Sequence, residues 1–247
     1  MGNSIVDGLD SRSPTEPVPV FLFQECDQWT MNRSPFEHLV AEYDEWFDAN
    51  RGAYRAERAA LECALPESFD GGRALEVGVG TGRFAAPLGV SVGLDPAHSP
   101  LERARERGID PVRGVAEALP VADDVLEVVT VVTVLSFVDD RETTLAELER
   151  VLEPDGTLVL AVLDRSSPMG AVYQDHKDEN PFYAEATFLT AAEACSALES
   201  AGFEVERRLQ TVFDDPAEPG AEGADVDVRE GHGDGLFAVV RATPTGT

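Results

Sequence analysis

The sequence predicts an α/β fold built on a doubly wound, mostly parallel sheet of seven strands. Short apolar segments alternate with helical ones through the middle of the chain, residues 125–135 are nearly unbroken Val, Leu and Thr, and a glycine-rich turn follows the first apolar segment. Strands buried on both faces of a parallel sheet have such continuous apolar sequences, and alternation of strands and helices favours parallel pairing. We therefore expect one core, for which 247 residues with 43% hydrophobic content are sufficient.

The predicted elements follow the hydrophobic pattern along the chain. Two helices precede the first strand, one from Phe36 and one over residues 54–65, which ends at Pro66. The predicted strands cover residues 73–77, 91–94, 111–113, 125–135, 157–163, 203–211 and 236–242. The helices between them cover residues 84–88, 100–107 with Ser99 as the cap, a segment from the cap Asp140 to Leu152, and 191–201.

Some segments fall outside this alternation, and we treat residues 36–247 as a single domain around them. Residues 1–35 begin with a stretch rich in Ser, Pro, Asp and Gly and are predicted to form a flexible tail. Residues 36–66 are predicted to form a helical lid. Residues 164–190 are too long for a plain connection and are interpreted as a substrate cap insertion after the fifth strand. Residues 213–235 are interpreted as an exposed acidic loop that lacks calcium-loop spacing.

The charge balance limits the classes of partner. There are 47 acidic residues against 19 basic ones, a formal net charge of -28, and a pI near 4.3. Such a surface repels nucleic-acid phosphates and anionic lipid, so neither nucleic acid nor a membrane is expected as a partner. Lys177 is the only lysine. An acidic, lysine-poor surface favours a halophilic protein, since concentrated salt screens the repulsion.

Cysteine usage and hydropathy indicate the compartment. Cys26, Cys63 and Cys195 are odd in number and form no CxxC pair, which fits a reducing cytoplasm and argues against a zinc site or any other metal. No apolar run reaches membrane-spanning length, and the amino terminus lacks the regions of a signal peptide. The sequence therefore predicts a soluble, cytoplasmic protein.

The most informative motif is the turn after the first predicted strand, where residues 74–84 read ALEVGVGTGRF. Glycine at Gly78, Gly80 and Gly82 permits positive φ and lets the backbone lie against a ligand. A phosphate-binding GxxxxGK[ST] loop needs a lysine that is absent from this turn. A dinucleotide GxGxxG turn would require glycine where Arg83 stands, and Glu76 would oppose a pyrophosphate. A zwitterionic ligand with an ammonium group is compatible with Glu76.

With these motifs, the chain resembles the class I S-adenosylmethionine-dependent methyltransferases, in the methyltransferase type 11 branch related to quinone-biosynthesis methyltransferases. The resemblance covers about residues 36–242 in motif order. It implies a Rossmann-like fold and S-adenosyl-L-methionine as the cofactor. Residues 75–82 resemble the family's first motif, which lies against the methionine and ribose.

The resemblance also implies roles for residues outside this turn. Asp95 is placed like the acidic residue that binds the ribose hydroxyls. Residues 114–120 resemble the adenine-binding segment, with Val115 replacing the usual aspartate, so that Glu117 and the backbone of Ala116 would supply the contacts. Thr133 begins the stretch near the reactive methyl group, and Tyr43 belongs to a lid motif near the methionyl end. The expected cofactor-binding residues are Tyr43, Glu76, Gly78, Gly80, Gly82, Asp95, Ala116, Glu117 and Thr133.

The predicted function is methyl transfer to a small-molecule O, S, N or C nucleophile by in-line displacement. Orientation of the two bound reactants can remove about 7 to 11 kcal/mol of barrier, and a general base is optional. Residues 133–137 read TVLSF, unlike the Asn/Asp-Pro-Pro-Tyr of enzymes that methylate nucleobase or protein amides. Among catalytic candidates, His176 is a potential base, and Tyr173 or Tyr183 could orient the nucleophile.

Two alternatives remain open from the sequence. One is a protein that binds S-adenosylmethionine or S-adenosylhomocysteine without turnover, as a sensor or partner. The other is a nicotinamide-dependent oxidoreductase, against which Glu76 and Arg83 argue. The methyl acceptor and the oligomeric state leave no readable trace.

Overall fold

Eight strands form one mixed sheet in the computed structural model, which describes residues 34–216 and 226–246. Across the sheet the order is β3-β2-β1-β4-β5-β8-β6-β7. The pairs among β1 to β5 are parallel, whereas β8 runs antiparallel to β5 and β6, and β7 pairs antiparallel with β6. The strands are β1 (Ala74–Val77), β2 (Val92–Asp95), β3 (Asp110–Arg113), β4 (Leu126–Val132), β5 (Leu152–Leu163), β6 (Phe203–Thr211), β7 (Arg229–Glu230) and β8 (Phe237–Pro244).

Eight α-helices occur in the part of the chain that the structure describes. They are α1 (Pro35–His38), α2 (Val40–Ala49), α3 (Arg51–Ala64), α4 (Ala85–Leu88), α5 (His98–Glu106), α6 (Arg141–Val151), α7 (Pro168–His176) and α8 (Ala191–Ser200), with short 3-10 helices at Val134–Ser136 and Lys177–Glu179. The predicted cap of α6 is confirmed, because the Asp140 side chain accepts a hydrogen bond from the Thr143 N–H. None of these helices is long and apolar enough to cross a membrane.

The α/β prediction is confirmed, but the sheet has eight strands instead of seven. The additional strand, β7, lies within the predicted acidic loop and pairs Glu230 with Leu209 of β6. Beside it, the Arg229 guanidinium stacks 3.8 Å from the ring centre of Phe213. A strand of two charged residues has no hydrophobic alternation, so the pattern could not predict it. Residues 217–225 of this loop and the predicted tail up to residue 33 lie outside the described residues.

Several element boundaries differ from the prediction. Strand β5 begins at Leu152, not at residue 157, and Pro35, predicted to end the tail, begins α1. Two further differences have a clear physical reason. Strand β4 ends at Val132, before the predicted end, because Thr133 takes a left-handed backbone with φ of 61°. Ser99 does not cap α5, since the cap position belongs to Ala97 and Ser99 lies inside the helix. The N-terminal donors of α5 are satisfied from another helix, as the Glu37 carboxylate accepts the N–H of His98 at 2.7 Å and the Ser99 hydroxyl at 2.7 Å.

The core has two layers, one on each side of the sheet. One layer joins α3, α4 and α5 to the sheet, and the other joins α6 and α8 to it. At the carboxyl ends of the strands, α1 and α2 meet the segment 164–190 through aromatic rings. Between ring centres, Phe36 lies 5.4 Å from Phe182 and 5.2 Å from Phe137, the residue after the 3-10 helix that follows β4. The ring centre of Tyr43 lies 5.8 Å from that of Phe182. The helices before the sheet and the segment after β5 therefore cover the same edge.

Candidate functional site

The three glycines of the turn after β1 differ in what surrounds them. All three have positive φ, 74° at Gly78, 51° at Gly80 and 78° at Gly82. A Cβ on Gly78 would lie 2.1 Å from a methyl of Val134, and one on Gly82 would lie 3.2 Å from the Ala104 Cα of α5. A Cβ on Gly80 would have no heavy atom within 4 Å. Gly78 and Gly82 therefore permit close packing within the protein, and Gly80 faces space that a ligand could fill.

Asp95, the last residue of β2, faces the same turn. Its Oδ2 accepts the Gly80 N–H at 2.9 Å and its Oδ1 accepts the Ala97 N–H at 2.8 Å. Burial raises the pKa of Asp95 to about 6 although these two N–H groups oppose the shift, so the carboxylate is mainly ionised at neutral pH. Each oxygen keeps lone-pair capacity after one hydrogen bond, which fits a pair of ribose hydroxyls.

Glu76 lies beneath the turn and is 1% exposed. Its Oε2 accepts the Thr130 hydroxyl at 3.1 Å, and the Ala85 N–H at the start of α4 also donates to this carboxyl. Burial raises the pKa of Glu76 to about 8, so the group is largely neutral near pH 7. A largely neutral Glu76 repels a pyrophosphate less than the charged carboxylate that the sequence analysis assumed. The argument against a dinucleotide-binding turn therefore rests mainly on Arg83.

Arg83 joins the turn to α2. Its Nε donates to Asp44 Oδ1 at 2.9 Å, and the same carboxylate accepts from Thr81 Oγ1 at 2.8 Å and Arg107 Nη2 at 2.7 Å. Burial alone would raise the pKa of Asp44, but the donors Arg107, Arg83 and Thr81 hold it below its usual value. We name Asp44, Thr81, Arg83 and Arg107 the lid latch, because they fasten α2 to the glycine turn.

The predicted adenine segment also has partners within the protein. Ala116 is buried, and the half-buried Glu117 accepts the Asp139 N–H at 3.0 Å through Oε1. Glu117 thereby ties residues 114–120 to the loop after β4. Its contact with an adenine amino group stays a prediction.

Thr133 has an uncommon backbone conformation for a β-branched residue. Its φ of 61° is left-handed, and its hydroxyl donates to the Val132 carbonyl at 2.7 Å. Strained residues of this kind cluster at ligand sites. The position next to Val134, which packs on Gly78, places Thr133 beside the turn.

The structure separates the three catalytic candidates. Tyr173 and Tyr183 lie together, with ring centres 5.7 Å apart, and both pack on the core. His176 is exposed on the outer side of α7, where its Nδ1 lies 3.0 Å from the Val172 carbonyl of the same helix. The tyrosines are therefore brought to the site, and His176 is not. Within residues 34–216 and 226–246, no three His, Cys, Asp or Glu side chains form a group that could hold a metal.

Sequence reasoning missed Glu57, which lies on the buried face of α3 and is 5% exposed. Burial raises the pKa of Glu57 to about 8, and no hydrogen bond from a described residue opposes the shift. It lies on the face of α3 that packs into the core layer on which Tyr43, Tyr173 and Tyr183 also pack. The signal in the sequence is an acid in the apolar face of α3, whose other buried members are Ala53, Ala56, Ala60, Leu61 and Ala64.

Comparison with known proteins gives a consistent result. The family described as "Methyltransferase domain" matches residues 75–160, from β1 into β5. A crystal structure from Thermotoga maritima, described as a SAM-dependent methyltransferase and possible histamine N-methyltransferase, superposes with a TM-score of 0.80 at 40% identity and covers 85% of this chain and 98% of that one.

Two sequence relatives extend the match over most of the chain. An uncharacterized protein of Methanocaldococcus jannaschii is 35% identical over 208 residues, 84% of this chain and 97% of the relative. A probable S-adenosylmethionine-dependent methyltransferase of Mycolicibacterium smegmatis is 33% identical over 201 residues, 78% of this chain and 70% of the relative. With the glycine turn and Asp95 placed as described, the chain belongs to the S-adenosylmethionine-dependent methyltransferases, and S-adenosylmethionine is its cofactor.

Proposed function

We propose that this protein transfers a methyl group from S-adenosylmethionine to a small-molecule nucleophile by in-line displacement. The observation that carries the proposal is the pairing of Gly80 with Asp95, in which an open, left-handed glycine donates its N–H to a buried carboxylate at the carboxyl end of β2. Ligands of open α/β sheets bind at the carboxyl ends of the strands, where the strand order reverses, and the reversal here lies between β1 and β4.

The cofactor supplies the activated methyl group and the leaving group. Asp95 accepts the ribose hydroxyls, and the backbone at Gly80 leaves room for the adjoining part of the ligand. Ala116 and Glu117 lie toward the adenine, and Tyr43 and Thr133 toward the methionyl end. The remaining task of the protein is to orient the acceptor and exclude water, which can remove about 7 to 11 kcal/mol of barrier.

The elements that would select the acceptor are α1, α2 and the segment 164–190. They are joined over the carboxyl edge by Phe36, Tyr43 and Phe182, so a molecule held beneath them would be enclosed by rings. Such a space suits a small organic acceptor better than a nucleic acid, and the net charge of -28 also opposes phosphate backbones. The related Thermotoga protein is described as a possible histamine N-methyltransferase, which agrees with a small acceptor.

The acidic surface fits concentrated salt as the working medium. Many charged side chains form exposed ion pairs, such as Arg73 with Glu127 at 2.6 Å, but acidic groups outnumber basic ones by 47 to 19. Salt screens the excess repulsion, so thermal stability is expected to rise between about 0.1 and 2 M KCl. An unchanged or lower melting temperature in high KCl would count against halophilic adaptation.

Calorimetry and a transfer assay test the proposed function. S-adenosylmethionine and S-adenosylhomocysteine are expected to bind at high salt and NAD is not, and label from methyl-tritiated S-adenosylmethionine is expected to appear in a small acceptor. Binding with no transfer to any acceptor in a panel of amines, thiols, phenols and quinols would favour a sensor or partner role. Binding of NAD in place of the two sulfur ligands would refute the proposal.

A further inference from the structure

The acceptor side of the site contains polar groups that the protein leaves without partners. Glu57 is 5% exposed and receives no hydrogen bond or ion pair from a described residue. The hydroxyls of Tyr43, Tyr173 and Tyr183, which are half-buried, likewise make no hydrogen bond among residues 34–216 and 226–246. The oxygens of Glu57 and of the three tyrosines are not among the fully buried unpaired atoms of the described residues, so each keeps an accessible side on which a ligand's donors could bind.

These groups come from separate elements and face one another. Glu57 lies on α3, Tyr43 on α2, Tyr173 on α7, and Tyr183 in the following turn. Ring contacts connect these elements: between ring centres, Tyr43 lies 5.2 Å from Phe47 and 5.8 Å from Phe182, Phe47 lies 5.4 Å from Tyr54 of α3, and Tyr173 lies 5.7 Å from Tyr183. The four polar groups are therefore brought to one region by separate elements and do not form a local cluster on one helix.

The charged groups that act most on Tyr43 and Tyr173 are acidic, whereas Arg58, Arg83 and Arg107 act on Tyr54. Tyr43 experiences Glu57, Glu76, Asp95 and Asp44, and Tyr173 experiences Glu57 and Asp215. Arg58, the next residue along α3, pairs with Glu62 at 3.1 Å. Tyr54, also on α3, donates its hydroxyl to the Arg83 carbonyl at 2.6 Å. An organic cation would be favoured here by the faces of the rings and by Glu57, whose carboxyl is largely neutral near pH 7 when unpaired and ionises beside a positive charge.

Resting on the proposed function, we propose that the methyl acceptor is an organic amine, bound as its ammonium by Glu57 and enclosed by Tyr43, Tyr173 and Tyr183. The carboxylate pairs with the ammonium and replaces the water around it. The tyrosine hydroxyls accept its remaining N–H donors, and the rings pack on the hydrocarbon part of the amine. This assigns N-methylation among the O, S, N and C reactions left open above.

The same residue can take the proton that methylation requires. The ammonium passes one proton to the Glu57 carboxylate, and the freed nitrogen lone pair forms the bond to the methyl carbon. The electron pair of the methyl–sulfur bond stays with sulfur, the positive charge passes to the methylated ammonium, and Glu57 holds the released proton. A carboxyl whose pKa lies close to the working pH is suited to this exchange, and burial raises the pKa of Glu57 to about 8.

The experiment compares an amine with its uncharged analogue. Histamine and 2-phenylethylamine are titrated into the complex of the full chain with S-adenosylhomocysteine, beside 2-phenylethanol, and the same compounds are offered with methyl-tritiated S-adenosylmethionine. At least one amine should bind and be methylated and the alcohol should not. Glu57→Gln should lower kcat/KM for that amine at least about 100-fold, while the S-adenosylhomocysteine Kd changes less than about threefold.

Glu62→Gln is the matched control, since Glu62 lies on the same helix, is 46% exposed and pairs only with Arg58 among the described residues. It should leave amine turnover unchanged. In the parent protein kcat/KM should rise with pH toward about 8, and Glu57→Gln should remove that rise, a change that a merely structural role would not produce.

Three outcomes would overturn the assignment. The first is that a protein that binds S-adenosylhomocysteine binds neither amine up to about 10 mM. The second is that the alcohol is methylated in preference to the amine. The third is that Glu57→Gln turns over the amine at the full rate. The cofactor titration separates these results from failure of the proposed function, because a protein that binds neither S-adenosylmethionine nor S-adenosylhomocysteine fails before any acceptor is added.

Discussion

The cofactor half and the acceptor half of the site differ in whether the protein supplies hydrogen-bond partners for their polar side chains. On the cofactor side, Asp95 accepts two backbone N–H groups, Glu76 accepts from Thr130, and Asp44 accepts from Thr81, Arg83 and Arg107. On the acceptor side, Glu57 and three tyrosine hydroxyls have no partner among the described residues. The protein itself organises the first half, and it leaves the polar groups of the second half free for the acceptor that we propose.

This difference has an energetic meaning. A paired buried carboxylate holds its neighbours in place, whereas an unpaired one costs stability that only a bound partner restores. The cofactor half should therefore respond to substitution mainly in structure and cofactor affinity. The acceptor half should become more stable when its carboxylate is neutralised and lose acceptor recognition at the same time.

The largest expected effect of a substitution tests how tightly the cofactor half is packed. Gly78→Ala places a Cβ 2.1 Å from a Val134 methyl in a backbone with φ of 74°, so the free energy of unfolding should fall by about 2 to 4 kcal/mol in urea titrations followed by circular dichroism. The matched control is Gly80→Ala, which has positive φ but open surroundings and should cost about 1 kcal/mol. Equal losses in the two variants would mean that Val134 relaxes and that the packing is not tight.

The second effect is the pH dependence of stability, and it concerns both halves. The pKa values of Glu57 and Glu76 rise from 4.5 to about 8 on folding because both groups are buried. The folded state therefore binds more protons than the unfolded state between these values, and stability falls as the pH rises through this window. The loss should be on the order of 4 kcal/mol for each carboxyl, measured by thermal melts between about pH 5 and 8.5.

Glu57→Gln separates the contribution of Glu57 to the pH dependence of stability from that of Glu76. The variant should melt at a higher temperature than the parent protein at about pH 8.5 and show a smaller gain at about pH 5, whereas Glu62→Gln should show no pH-dependent gain. A gain from Glu57→Gln that is independent of pH would show that Glu57 is not the titrating group.

The third effect sharpens the assignment of Asp95. Asp95→Ala removes the acceptor of two N–H groups and, as we propose, of the ribose hydroxyls, so the Kd for S-adenosylhomocysteine should rise at least about tenfold in calorimetry. Asp110→Ala, at an exposed position of the neighbouring strand β3, serves as the control and should leave the Kd unchanged. An unchanged Kd for Asp95→Ala would refute the ribose assignment.

The smallest effect concerns the lid latch. Asp44→Asn weakens the ion pairs with Arg83 and Arg107, so α2 should open more easily, by about 1 kcal/mol in native-state hydrogen exchange. Asp48→Asn is the matched control, because Asp48 is 62% exposed and its ion pair with Arg83 lies in solvent. Equal protection of α2 in Asp44→Asn and the parent protein would mean that aromatic packing alone holds the lid.

Local features of the chain determined most of the cofactor half. The apolar segments at β1 and β4, the glycine turn, and Asp95 after β2 are short-range patterns, and a parallel sheet brings the carboxyl ends of its strands together without further information. The sequence could not show which of the glycines pack tightly against the protein. Gly78 is constrained by Val134 and Gly82 by Ala104, and both of these residues are distant in the chain. Arg83 was noted only as a missing glycine, and the structure shows that it fastens α2.

The acceptor half was decided by the tertiary structure. Tyr173 and Tyr183 were candidates from composition, but the exposure of His176 and the burial of Glu57 depend on which face of α7 and α3 meets the rest of the chain. Strand β7 and the capping of α5 by Glu37 likewise depend on contacts between separate segments. By itself, the sequence determined the α/β fold and the glycine turn, because backbone conformation and strand burial are encoded over a few residues, and the resemblance of its motifs to a family indicated the cofactor. Only the tertiary structure decided which carboxylates are paired, buried or left for a ligand, because burial and pairing are properties of surfaces that meet across the fold.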